Sequence, residues 1–150
     1  MRLWHYKLIP YLPSSQLIAQ WRELNSIFKN RNKHILINYI YTYPKCYLWE
    51  YTMITIKEME KRNISIKSLA NADNYFEGLG SVPEKIKYLY PFEEHNVEYL
   101  TICYWNLREK YLRGQKDFTK DIWKKLDTFF NKEVINAFFD KENKRSSPIW

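Results

Sequence analysis

From Ser14 to Phe28 the apolar residues Leu17, Trp21, Leu24 and Phe28 recur at steps of four, three and four. That spacing puts them on one face of an α-helix. Ser14 or Ser15 stands where an N-cap belongs. Further helices are predicted over about 48–62, 96–112 and 119–137, with Gly114 ending the one over 96–112. The run ILINYIYTY, 35–43, is β-branched and aromatic but has no evident partner strand. A short helix or an extended core segment is expected there, broken by Pro44. Pro10 and Pro13 argue against a helix before Ser14 and predict an extended arm. Residues 63–85 read as loop, and 140–150 as a charged, flexible tail. The pattern predicts an all-α, compact single domain over residues 1–139, with no internal repeat.

Bulk properties agree with one domain. A chain of 150 residues is one domain by length and buries roughly 70% of its unfolded surface. Hydrophobic residues make up 45% and aromatic residues 18%, and most of the rings belong in a core or helix contacts, although some can stack on bases. The net charge of +7 suits a polyanionic partner, yet a basic helical domain unrelated to nucleic acid has the same balance. Cys46 and Cys103 lack metal or CxxC spacing and are expected as buried, reduced thiols. No apolar run is long enough to span a membrane, and the Pro-interrupted N-terminus is not a signal peptide. A cytoplasmic protein is expected.

The common catalytic motifs are absent: no GxSxG, no phosphate-binding loop, no HExxH and no GxGxxG. His5, His34 and His95 lack metal spacing and are expected as structural or surface residues. That leaves WRE, 21–23. At about 100° per residue, Glu23 sits at the edge of the buried stripe and Arg22 further round on the solvent side. An edge carboxylate is either partly desolvated, with a raised pKa, or an ordinary partner in a surface ion pair.

The stretch LPSSQLIAQWRELNSIFKNRNKH, 12–34, resembles the first helix and following turn of the phage-type pyrimidine-dimer DNA glycosylase (endonuclease V) family. The match is ungapped and strongest at Leu12, Leu17, Ala19, Arg22, Glu23, Leu24, Phe28, Lys33 and His34. The opening MRLWH with LIPYLP resembles a group of small bacterial proteins classed with it. NLREKY, 106–111, is loosely similar to a basic helical segment of the family. The resemblance implies a helical body with the amino-terminal arm passing between helices. It also implies an enzyme whose N-terminal α-amine attacks the sugar under a damaged base. A Schiff base forms, the base leaves and β-elimination nicks the strand, without metal or cofactor. Glu23 matches the family's acid/base glutamate. An α-amine in general titrates near ~7.7–8.0, so part of it is neutral at physiological pH, unlike lysine near ~10.4.

Met1 falls in register with the family's nucleophilic threonine, because Arg2 matches the arginine that follows it. The large Arg2 side chain blocks removal of Met1, so Met1 is expected to stay and supply the amine. Ser26, Gln16 and Asn106 or Leu107 stand where the family has an arginine, a histidine and another arginine. Arg2, Arg22, Lys29, Arg31, Lys33, His34, Arg108 and Lys110 are the expected contacts to damaged double-stranded DNA. The target nucleotide must be flipped out to expose C1′, with Trp4, Trp21 or Tyr6 as candidate wedges. A monomer is expected. The alternative is a non-catalytic basic DNA-binding or interaction module of the same fold.

Overall fold

The structure is a computed structural model that describes residues 1–79 and 92–146, with side chains through Asn143. It is all-α. The helices are α1 (Ser14–Asn30), α2 (Lys45–Lys61), α3 (Ala70–Tyr75), α4 (Val97–Leu112) and α5 (Lys120–Ser146), and no strand occurs among the described residues. No helix among those residues is long and apolar enough to cross a membrane.

α1 buries Leu17, Trp21, Leu24 and Phe28, as the spacing predicts, and Ile27 and Gln20 with them. Its start differs from expectation. Pro13 occupies the N-cap, and neither Ser14 nor Ser15 caps the helix with its own side chain. A distant carboxylate supplies the cap: Asp117 accepts from the Ser15 backbone N–H at 2.8 Å and from its hydroxyl at 2.7 Å. A carboxylate at this end satisfies an orphan donor and complements the helix dipole.

The amino-terminal arm differs from the extended run expected. Residues 1–5 have no regular secondary structure, but Tyr6–Tyr11 form a 3₁₀ helix with Pro10 inside it. A proline tolerated in one tight turn does not exclude 3₁₀ geometry. The arm is a core element: Leu3, Leu8, Ile9 and Leu12 are essentially inaccessible. A buried segment outside helix and sheet must pair its backbone with side chains. Trp4 N–H donates to Gln20 of α1 at 2.8 Å, and the Trp4 carbonyl accepts from Tyr51 of α2 at 2.7 Å. The Leu3 carbonyl accepts from the Tyr99 hydroxyl of α4, and Tyr6 N–H donates to Nδ1 of His95, just before α4, at 3.2 Å. Lys7 pairs with Glu133 of α5 at 2.8 Å. The arm therefore runs between α1 and α2 on one side and α4 and α5 on the other. Arg62, at the end of α2, closes the arm by donating to the carbonyls of Leu12 at 2.6 Å and Pro10 at 3.0 Å.

Three other segments refine the expectation. The 35–43 run holds a 3₁₀ helix, Asn38–Thr42, with Ile37 and Ile40 buried. The predicted loop contains the short α3, and its positions 80–85 lie outside the described residues. α5 continues to Ser146, so residues 140–146 extend a helix rather than begin a tail, and 147–150 lie outside the described residues. Cys46 and Cys103 are buried free thiols.

Candidate active site

Two neighbours on one face of α1 carry the site. Gln20 and Glu23 are three residues apart, so their side chains lie side by side. Both point at the arm. Glu23 Oε2 accepts from the Arg2 backbone N–H at 3.4 Å and from the Gln20 amide at 3.3 Å. The contact to Arg2 reaches the residue that follows Met1, and Met1 itself is half-buried against the core.

The electrostatics follow from this placement. Burial pushes the Glu23 carboxyl above the ordinary 4.5, and the Arg2 N–H, the charge of the amino terminus, the Gln20 amide and Lys110 partly offset it. Lys110 of α4 and the amino terminus thus act on the same carboxylate. A partly desolvated carboxyl is chemically suited to accept and to return a proton.

The predicted residues divide into separate places. Met1, Arg2, Glu23 and Lys110 converge. Arg2 is half-buried with its guanidinium 5.7 Å from the centre of the Tyr99 ring, turned inward rather than along an outer groove. Arg22 faces a different cleft of about 570 Å³, shared with Trp21, Asn25, Lys67 and Asn71. Lys29, Arg31, Lys33 and His34 are exposed at the far end of α1. Arg31 has a left-handed backbone, φ 49°, at the helix C-cap. Arg108 lies on the outer face of α4, its guanidinium 5.3 Å from the Trp105 ring centre.

Of the candidate wedges, Trp4 and Trp21 are core residues, 7% and 9% exposed, and Tyr6 is half-buried. The sequence reasoning missed Trp105, which is 55% exposed and lies beside Arg108 in a shallow cleft with Leu112 and Arg113. The signal was present: Leu100, Cys103, Tyr104 and Leu107 form the buried side of α4, which leaves Trp105 facing out. It also missed a buried polar cluster behind the arm. His5 and His95 have ring centroids 5.4 Å apart, and His95 Nε2 lies 2.8 Å from the Tyr39 hydroxyl. Burial holds His5 down to about 4, and burial with the neighbouring His5 ring holds His95 to about 3. Both rings are structural, as expected. Among the described residues no group of three or more His, Cys, Asp or Glu is arranged to hold a metal ion.

No curated protein and no solved structure matches the chain. Residues 1–72 match the model of one family, described as pyrimidine dimer DNA glycosylase. The matched span includes the arm, α1, α2 and the Arg2–Glu23 contact. It supports the resemblance carried by the WRE helix. Residues 1–72 are therefore similar to the pyrimidine dimer DNA glycosylase family, and that similarity supports a DNA repair glycosylase in general terms.

Proposed function

We propose that this protein is a DNA glycosylase with abasic-site lyase activity, that the α-amine of Met1 is its nucleophile and that Glu23 is its acid/base. Its substrate is a pyrimidine dimer or a related damaged base in duplex DNA. The observation that carries this is the 3.4 Å contact from the Arg2 N–H to Glu23, one peptide away from the amine. In this scheme the neutral amine forms a bond to C1′ as the glycosidic bond breaks, and the base leaves with the bonding pair. Glu23 takes the proton that the nitrogen loses and returns it to O4′ as the sugar ring opens, giving the imine. Loss of a C2′ proton then expels the 3′ phosphate. Water hydrolyses the imine and frees the amine. Trp105 with Arg108 offers an exposed ring and cation for an unstacked base.

Borohydride trapping on a duplex with one abasic site tests this. The expected result is a covalent adduct mapped to the nitrogen of Met1, and a Glu23→Gln variant that still binds duplex but no longer nicks it. Mass spectrometry must show Met1 as the free amino terminus, because an acylated nitrogen cannot form an imine. A folded protein with a free terminus that gives salt-dependent duplex retention and no adduct is instead a DNA-binding module.

A further inference from the structure

We propose that Gln20, braced by Tyr51, is a positioning residue that sets the amino terminus against Glu23. This rests on the lyase reading above. Gln20 is 1% exposed, although it is a polar residue in the middle of an apolar helix face. Burying an amide is costly unless its hydrogen bonds are made. Here both ends of the amide are engaged. Oε1 accepts from the Trp4 N–H at 2.8 Å and stands 3.0 Å from the Tyr51 hydroxyl. Nε2 donates to the Arg2 carbonyl at 3.2 Å and to Glu23 Oε2 at 3.3 Å.

The chemistry of these partners fixes the amide's orientation. A backbone N–H can only donate, so it requires the oxygen of Gln20. A carbonyl and an ionised carboxylate can only accept, so they require its NH₂ group. A reversed amide would face like against like on both sides. Tyr51 holds the assembly from behind: it is inaccessible, and its hydroxyl is 2.7 Å from the Trp4 carbonyl. One NH₂ group therefore ties the Arg2–Leu3 peptide, the second from the amine, to the carboxylate that must exchange protons with that amine. Backbone at Arg2 and Trp4 is held on both sides of residue 3. The amine lies one residue before the backbone that these bonds hold at Arg2. A displacement of about 1 Å at a reacting group can cost a hundredfold in rate.

The test compares the wild-type protein with Gln20→Leu, which keeps the volume and removes both donors. The readouts are duplex affinity, the rate of borohydride-trapped adduct, and the pH dependence of that rate. We expect a rate lower by about ten- to a hundredfold, unchanged affinity, and an acid limb shifted to higher pH, because the donor that favours ionised Glu23 is gone. A merely structural role would lower the folded fraction without moving the limb. Tyr51→Phe removes one hydroxyl and keeps the ring, so it covers the case in which Gln20→Leu does not fold. It is expected to shift rate and limb the same way by a smaller amount. Wild-type rate and an unmoved limb in either folded variant overturn the proposal while the lyase reading stands. No adduct with the wild-type protein overturns both.

Discussion

His95 accepts the Tyr6 N–H on Nδ1, so its own proton sits on Nε2, facing the Tyr39 hydroxyl. His5 likewise accepts the Lys7 N–H on Nδ1. Protonating either ring at Nδ1 would put an N–H against an N–H and place a buried charge there. The sign of the pH effect follows. Both rings are held below the usual 6.5, at about 4 and about 3, so the unfolded chain binds the protons first. Stability from the pair is present above pH 6.5 and is lost as pH falls from there toward 3. The loss is on the order of a few kcal/mol. Urea unfolding between pH 7 and 4.5 should show a falling midpoint, and His95→Gln should flatten the curve. A wild-type midpoint independent of pH would show that the rings are not buried neutral. At this scale the sequence located Glu23, because helical periodicity places a side chain relative to its own stripe. It did not locate the histidine pair, because His5 and His95 meet only through the tertiary fold.

Among the elements, α1 depends on a partner that its own sequence does not contain. Burial raises the Asp117 carboxyl, but hydrogen bonds from the Ser15 hydroxyl and N–H and from Gln115 outweigh burial and leave it below the ordinary 3.8. Asp117→Ala should cost about 1 kcal/mol, the usual worth of an N-cap. The check is thermal unfolding, and an unchanged midpoint would mean that water caps α1 equally well. Arg62 does a similar service for the arm. Its planar fork reaches Glu58 at 2.9 Å and the carbonyls of Leu12 and Pro10 together. Lysine has one ammonium and cannot span them. Arg62→Lys should destabilise by about 1–2 kcal/mol, read from chemical denaturation, and a wild-type value would count against the clamp. Neither cap was visible in local patterns, since each joins residues about fifty or a hundred positions apart.

The whole molecule is more than its family-matched half. The arm's anchors include Tyr99, His95 and Glu133, all beyond residue 79. A fragment of residues 1–79 should therefore remain largely unfolded by circular dichroism, and a cooperative melt from it would refute this dependence. The basic residues at the far end of α1 make a separate prediction. Arg31 lies about 12 Å along the helix from Glu23 at 1.5 Å per residue. Replacing Lys29, Arg31 and Lys33 together with alanine should lower the salt slope of duplex binding by about two to three. An unchanged slope would place the phosphates elsewhere on the surface.

By itself the sequence determined the helical class, the buried stripe of α1, the edge position of Glu23 and the family pattern around it. Each of these depends on neighbours within a few turns, where the period of the helix dictates geometry. Only the tertiary structure decided that residues 1–5 thread the core, that Asp117 and Arg62 close two chain ends, that Trp105 faces out, and that Gln20 bridges Arg2 to Glu23. Those facts rest on backbone and side-chain groups whose partners lie on other elements. A hydrogen bond is satisfied by proximity in space, and the linear pattern of polar and apolar residues does not specify which distant groups become neighbours.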